Sequence, residues 1–174
     1  MVQEAMRAQI LNRWPLWALI ASALMLAAAH AFQTFGHLAP CMLCLRQREA
    51  YWAALALAAA GVALGFTPWR GAAVRIVCGL LALAFLWGAG LAIYHAGAEW
   101  KWWPGPASCS AAAVHVSAAD LAAVLRGGRM SAPACDKAPW VFLGLSMAGW
   151  NALTSLALAG ASALAAAQGR EEAR

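Results

Sequence analysis

The segment PCMLCLRQR, residues 40–48, sets two cysteines three positions apart between two long apolar runs. The chain is 64% hydrophobic and only 11% charged, whereas a soluble domain is usually about half apolar and about a quarter charged. A membrane-spanning helix needs roughly 20 apolar residues to cross a hydrocarbon core of about 30 Å. The 174 residues therefore predict an all-α membrane protein, a bundle of about four transmembrane helices with this segment at the mouth of the second.

The apolar runs place the helices along the chain and leave one long mixed segment. We predict a single integral membrane domain over residues 1–174, with spans at about residues 14–34, 43–66, 72–95 and 140–167. A competing interpretation of the first span is a cleaved signal peptide, because Ala29-His30-Ala31 resembles a cleavage site. The loop at about residues 96–139 contains AAAVHVSAADLAAVLRGG, which predicts a short amphipathic helix that stops at two glycines.

Charge density and tryptophan positions distinguish the two sides of the membrane. The 12 Lys and Arg residues divide equally between the sides, but those in the N-terminal head, the turn at 67–71 and the C-terminal tail are more concentrated. This density favours cytoplasmic termini. Tryptophans cluster at both predicted boundaries, as in the aromatic belts of membrane proteins. Trp52, Trp87 and Trp150 lie deeper, and we predict that they mostly pack within the bundle.

The first cysteine pair lies where a helix is expected to begin. Cys41 and Cys44 are spaced i and i+3, and Pro40 suits a first helical position, so we expect both cysteines on one face of the second helix. A helix N-terminus favours the thiolate, and Arg48, four residues after Cys44, brings a positive charge to the same face. Because a charged arginine is costly in lipid, we expect Arg48 to have a partner, either a thiolate or a polar ligand.

Several kinds of Cys-x-x-C site compete for this motif. Covalent haem attachment needs a following histidine, whereas Leu45 follows Cys44. A four-cysteine zinc site and a static disulfide remain alternatives, and a redox-active pair suits the motif best. Cys109 and Cys135 form a second candidate pair, either a loop staple or an exchangeable disulfide. Cys78 lies inside an apolar run and is predicted to pack as a small hydrophobe.

Long stretches of the chain resemble the DsbB family, the inner-membrane disulfide bond formation protein B. The resemblance covers PCMLCLRQR at the second span, YHAGAEWKWWPGPASC after the third and CDKAPWVFLGLSMAGWNAL entering the fourth. Proteins similar to vitamin K epoxide reductase also combine four helices with two cysteine pairs, but in them the loop pair comes first. Here the Cys-x-x-C comes first, which favours the DsbB family.

The resemblance implies a quinone-dependent protein-disulfide oxidoreductase. A reduced, DsbA-like protein of the thioredoxin fold would attack Cys109, and Cys135 would then attack Cys41. Cys44 would pass electrons to ubiquinone or another membrane quinone, with Arg48 stabilising the developing charges and His95 binding the quinone. The catalytic residues would be Cys41, Cys44, Cys109, Cys135 and Arg48, and the cofactor-binding residues Cys44, Arg48 and His95, with no metal.

The same resemblance implies a location and a set of partners. The protein would be a multi-pass protein of the bacterial inner membrane, with cytoplasmic termini and with both cysteine pairs in the periplasm, where disulfides form. Its partners would be a DsbA-like protein, lipid and quinone, with no nucleic acid, because the basic residues are scattered. Two alternatives remain from other classes: a membrane scaffold with structural disulfides or a metal, and a reductase that runs in the reverse direction.

Overall fold

The computed structural model describes residues 13–68, 70–106, 122, 125 and 135–171. Within these residues the regular secondary structure is helical apart from a short hairpin. Its elements in chain order are α1 (Trp14–Thr34), α2 (Met42–Leu64), α3 (Arg70–Glu99), β1 (Val141–Phe142), β2 (Leu145–Ser146) and α4 (Met147–Glu171). The all-helical class predicted from composition is confirmed. The segment expected to form an amphipathic helix in the loop lies outside the described residues except for residues 122 and 125.

The helices run alternately up and down and pack side by side. Contacts between α3 and α4 are the most extensive, followed by those of α2 with α3 and of α1 with α2. The core contains many alanines together with Leu81 and Phe85, both almost completely buried. A buried hydrogen bond of 2.8 Å from Trp14 Nε1 to Ser162 Oγ connects α1 to α4. Cys78 lies in this core, in agreement with its predicted packing role.

Among the described residues, three helical segments are long and apolar enough to cross a membrane. These are Trp14–Thr34, Gly71–Glu99 and Met147–Gln168. The segment α2 is of similar length, but Arg46, Gln47, Arg48 and Glu49 occupy its first two turns and make it less apolar. The second predicted span, at about residues 43–66, and with it the count of four spans, therefore stays a prediction.

Two predicted helix boundaries near the loop are wrong. The third helix continues past residue 95 to Glu99, so His95 lies one turn inside the helix. The fourth helix begins at Met147 and not near residue 140, because residues 141–146 form an antiparallel hairpin. Leu143 and Gly144 both have positive φ, 50° and 79°, which is the backbone that a tight two-residue hairpin turn requires.

The segment after α3 folds back against the end of that helix. Trp103 Nε1 donates a 2.8 Å hydrogen bond to the carbonyl oxygen of Tyr94, and the two aromatic rings stack. The Trp103 ring lies so close to Gly97 that a Cβ atom there would overlap it. This close approach turns the chain back across the end of the bundle that carries the cysteines.

The deeper tryptophans do not behave as one group. Trp150 is partly buried and donates a 3.0 Å hydrogen bond to the carbonyl oxygen of Phe142. Trp52 and Trp87 are 54% and 68% exposed on the outer surface of the bundle, so the prediction that they pack inside is wrong. Outward-facing indole rings suit a surface surrounded by lipid, where apolar area need not be covered by protein.

Candidate active site

Cys41 precedes α2 and caps its N-terminus. Its backbone is extended, with φ −76° and ψ 172°, and its Sγ atom accepts a 3.2 Å hydrogen bond from the backbone N–H of Cys44. The helix therefore begins at Met42, and the expectation that Pro40 is its first residue is wrong. A capping residue needs this non-helical backbone so that its side chain can reach the unpaired N–H groups of the first turn.

Cys41, Cys135 and His95 form a buried cluster at one end of the bundle. Their sulfur atoms and a ring nitrogen of His95 all lie within 4.8 Å of one another. Cys41 and Cys135 are 4% and 1% exposed, and His95 Nε2 lies 3.6 Å from Cys41 Sγ. The fold thus brings together residues from before α2, from α3 and from the segment before β1.

The oxidation states of the described cysteines differ. Cys135 is disulfide-bonded, whereas Cys41, Cys44 and Cys78 are free thiols. Its predicted partner, Cys109, lies outside the described residues. Three side chains as close as Cys41, His95 and Cys135 could hold a metal ion. Zinc, however, binds the thiolate of a cysteine, and a sulfur within a disulfide is not one, so the cluster in this state is suited to thiol–disulfide exchange.

Arg48 finds its partners on α1. One guanidinium nitrogen donates a 2.7 Å hydrogen bond to Gln33 Oε1, and the other donates a 3.0 Å hydrogen bond to the carbonyl oxygen of Ala29. The predicted need for a partner is therefore met by protein groups. Arg48 also interacts electrostatically with Cys44. The neighbouring Arg46 points away and pairs with Glu49 at 3.0 Å on the exposed surface.

A cavity of about 540 Å³ opens beside the cysteine cluster. Its volume is in the range of small-molecule sites. Mostly apolar side chains line it, among them Leu26, Phe32, Trp140 and Phe142. Its lining includes four of the predicted site residues, Cys41, Cys44, Arg48 and His95, together with the polar residues Gln47, Glu99 and Asn151.

Three polar residues of this site were not assigned a role by the sequence analysis. Gln47 contacts His95 Nδ1 at 2.8 Å and also accepts a hydrogen bond from Asn151 Nδ2. The Glu99 carboxylate lies 3.7 Å from His95 Nε2, with its side chain only 2% exposed. A polar residue within an apolar stretch of helix is itself a signal of function in membrane proteins, and this signal could have selected Asn151, whereas Gln47 lies in the polar run at residues 46–49.

A surface ion pair fixes the segment that carries Cys135. Lys101 Nζ contacts both the Oδ2 atom and the backbone oxygen of Asp136, each at 2.7 Å. The hydrogen bond from Lys101 lowers the pKa of the Asp136 carboxyl group. Because Lys101 immediately follows the last turns of α3, the pair connects the residue next to Cys135 to the helix that carries His95.

Comparison with known proteins identifies the family of the chain. A search of curated proteins and a search of solved structures returned no match. A family model described as "Disulfide bond formation protein DsbB" matches residues 12–165, which is most of the chain and includes every residue of the cluster. The chain therefore belongs to the DsbB family of membrane proteins for disulfide bond formation.

Proposed function

We propose that this protein reoxidises a DsbA-like periplasmic protein and passes the electrons through its two cysteine pairs to a membrane quinone. The observation that carries the proposal is the buried proximity of the Cys41 thiol and the disulfide sulfur of Cys135, within 4.8 Å of each other, beside His95 and the cavity. Thiol–disulfide exchange needs an attacking thiolate within reach of a disulfide sulfur, and this proximity supports such a step.

The proposed relay conserves electrons at every step. A partner with two thiols attacks Cys109 of the loop disulfide, leaves as a disulfide, and releases Cys109 and Cys135 as thiols. Cys135 then attacks Cys41 of an oxidised Cys41–Cys44 pair, and Cys44 departs as a thiolate. When Cys109 closes again on Cys135, Cys41 is released, so the loop is oxidised and the membrane pair is reduced. The free thiols of Cys41 and Cys44 and the disulfide at Cys135 correspond to this last state.

The cavity residues fit a quinone. When bound, a quinone supplies an acceptor for the two electrons and two protons that the Cys41 and Cys44 thiols release. Apolar walls suit a ring and an isoprenoid tail, and Cys44, Arg48 and His95 all line the same cavity. Arg48, held by Gln33 and Ala29, keeps a positive charge close to Cys44 and thereby favours its thiolate.

The proposed location follows from the same chemistry. Cys41, Cys44, His95 and Cys135 lie at one end of the bundle, and we assign that end to the periplasmic side of the inner membrane, with both termini cytoplasmic. A redox site at that boundary can meet a soluble protein from one side and a lipid-soluble quinone from the other. The direction of electron flow follows from quinone being the oxidant.

Turnover of purified protein tests this function. Detergent-solubilised protein is mixed with a reduced thioredoxin-fold partner and ubiquinone, and quinone absorbance is followed. Loss of quinone should require the partner and should vanish in Cys44→Ser. The matched control Cys78→Ser, which changes a thiol buried in the core, should retain turnover. A Cys44→Ser protein that still reduces quinone, or one equivalent of tightly bound metal in place of turnover, would refute the proposal.

A further inference from the structure

A row of hydrogen bonds connects the cysteine cluster to α4. His95 Nδ1 contacts Gln47 Nε2, Asn151 Nδ2 donates to Gln47 Oε1, and the Tyr51 hydroxyl donates to Asn151 Oδ1 at 2.7 Å. His95, Gln47, Tyr51 and Asn151 are all buried. The row therefore runs across the interior of the bundle through α3, α2 and α4.

The orientation of the two side-chain amides in the structure gives the row a direction, since each amide has one donating and one accepting end whereas the Tyr51 hydroxyl can do either. Asn151 uses its oxygen to accept from Tyr51, so its nitrogen faces Gln47. Gln47 uses its oxygen to accept from Asn151, so its nitrogen faces His95 Nδ1 at 2.8 Å. An amide nitrogen can only donate, which makes His95 Nδ1 an acceptor without a hydrogen. A neutral imidazole has a single N–H, and here that group is at Nε2.

The surroundings of Nε2 agree with a donor at this position. Cys41 Sγ lies 3.6 Å away, and Glu99 Oε1 lies 3.7 Å away. The ring also has a hydrogen bond with the backbone of Cys135, which competes with the Cys41 sulfur for a ring N–H. Cys41 Sγ and Glu99 Oε1 both accept hydrogen bonds when their groups are ionised. The opposite tautomer would direct a lone pair at both of them.

We propose that Gln47 and Asn151 are positioning residues that hold His95 as the Nε2–H tautomer, so that the ring donates to Cys41 sulfur and stabilises the Cys41 thiolate. The proposal deepens the proposed function, since it assigns a cause for thiolate formation at a residue of the same relay. Neither positioning residue touches the Cys41 sulfur; each acts through the imidazole. His95 in this role is a donor and not the base that removes the thiol proton.

Other ionisable groups face the same space and enter any pH dependence. Cys44 comes from the start of α2 and Glu99 from α3, while Cys135 in the segment before β1 is disulfide-bonded and does not titrate. Arg48 and Lys137 also line the cavity. The tests therefore compare variants at matched pH and include a direct reading of the ring nitrogens.

The first test reads the tautomer in quinone-free protein. Full-length protein with ¹⁵N-labelled histidine is purified in detergent, and His95→Gln identifies the signals of this ring by their loss. We expect a protonated Nε2 and an unprotonated Nδ1 in the wild type. Gln47→Glu should transfer hydrogen to Nδ1, because a carboxylate accepts. A wild-type spectrum with hydrogen on Nδ1 would overturn the proposal without the need for any variant.

The second test reads the thiolate. The rate at which a small alkylating reagent modifies Cys41 is measured against pH, in a quinone-free Cys44→Ser background. Gln47→Leu and His95→Gln should each slow alkylation near neutral pH by roughly tenfold and shift the profile to higher pH. His95→Gln removes the imidazole that donates to the thiolate, and Gln47→Leu removes the amide that holds the imidazole in the donating tautomer. The double variant with Gln47→Leu and His95→Gln should be alkylated at about the rate of the His95→Gln variant. Gln168→Leu, the same change at the far end of α4, should leave the profile unchanged.

The outcomes separate the two proposals. Unchanged alkylation in Gln47→Leu, measured on protein that keeps its wild-type thermal unfolding, would overturn the positioning role. The expected tautomer and profile in a protein that fails to reduce quinone would refute the proposed function alone, because neither reading contains a quinone.

Discussion

Arg46 and Arg48 lie two positions apart, but their side chains face different surroundings. Arg48 binds Gln33 and the backbone of Ala29 on α1 and lines the cavity, whereas Arg46 pairs with Glu49 at the exposed surface. A pair of this exposed kind typically contributes less than about 1 kcal/mol. Substituting each arginine in turn therefore compares the loss of a positive charge at the cavity with the loss of one at the exposed surface.

We predict that Arg48→Met raises the KM for ubiquinone by about tenfold or more and lowers kcat, because it removes the positive charge beside Cys44. Arg46→Met should change neither constant by more than about twofold, in keeping with the small contribution of an exposed pair. Steady-state quinone reduction by both variants checks this. Equal kinetics for the two variants would remove Arg48 from the quinone site.

At the scale of elements, the Lys101–Asp136 pair joins the end of α3 to the segment that contains Cys135. The Asp136 pKa is lowered by the hydrogen bond from Lys101. A group whose pKa falls on folding contributes stability above its ordinary pKa and loses it as the pH falls through the lowered value. The ion pair between Lys101 and Asp136 should therefore be intact at neutral pH and lost only in acid.

We predict that Lys101→Met lowers the midpoint of thermal unfolding by a small, constant amount at neutral pH. This difference from wild type should shrink as the pH falls through the lowered pKa of Asp136, because the carboxyl group is then neutral in both proteins and only the hydrogen bond from Lys101 to the backbone oxygen of Asp136 remains. Asp136→Asn should lack the pH-dependent step. Thermal unfolding in detergent across a pH series measures all three proteins, and a difference that persists unchanged in acid would contradict the role of this pair.

At the scale of the whole molecule, three helices meet at Gly61. A Cβ atom added to Gly61 would lie 2.9 Å from Pro15 Cβ on α1 and 2.9 Å from Val77 Cγ1 on α3. Small residues allow membrane helices to approach closely in this way. The crossing of α1, α2 and α3 therefore depends on the absence of a side chain at this position.

We predict that Gly61→Ala destabilises the bundle by about 1–3 kcal/mol, the usual cost of overpacking a core. Gly79→Ala is the matched control in α3, since its new Cβ meets nothing within 4 Å. It should be neutral or stabilising by up to about 1 kcal/mol through helix propensity. Denaturant unfolding in detergent compares them, and equal stabilities would show that the contact at Gly61 relaxes without cost.

Long apolar helices could be predicted from the sequence, whereas features that depend on contacts between distant residues could not. The first helix was predicted at residues 14–34 and is observed as Trp14–Thr34, because a long apolar run has clear ends. The predicted start of α4 is wrong because VFLGLS, residues 141–146, is as apolar as the helix that follows. These residues form a hairpin and not a first helical turn because Leu143 and Gly144 have positive φ, which the composition does not reveal.

The candidate site divides in the same way. Cys41, Cys44, Arg48, Cys135 and His95 could be named from the sequence because a motif or the family resemblance marked them. Gln47 and Asn151 lie 104 positions apart, and the role proposed for them depends on the hydrogen bond between their side chains. No local pattern in the chain encodes that pairing, which becomes visible only after the helices pack.

The hydrogen-bonded row across the bundle also has a consequence for how the molecule is made. Its members lie on α2, α3 and α4, and α4 is the last of these helices to leave the ribosome. Lipid offers no partner to an amide or hydroxyl group, so Gln47 and Tyr51 lack Asn151 until α4 arrives. A chain that still lacks α4 thus exposes polar groups that are buried in the complete bundle. A membrane protease that recognises such groups could distinguish nascent from mature chains.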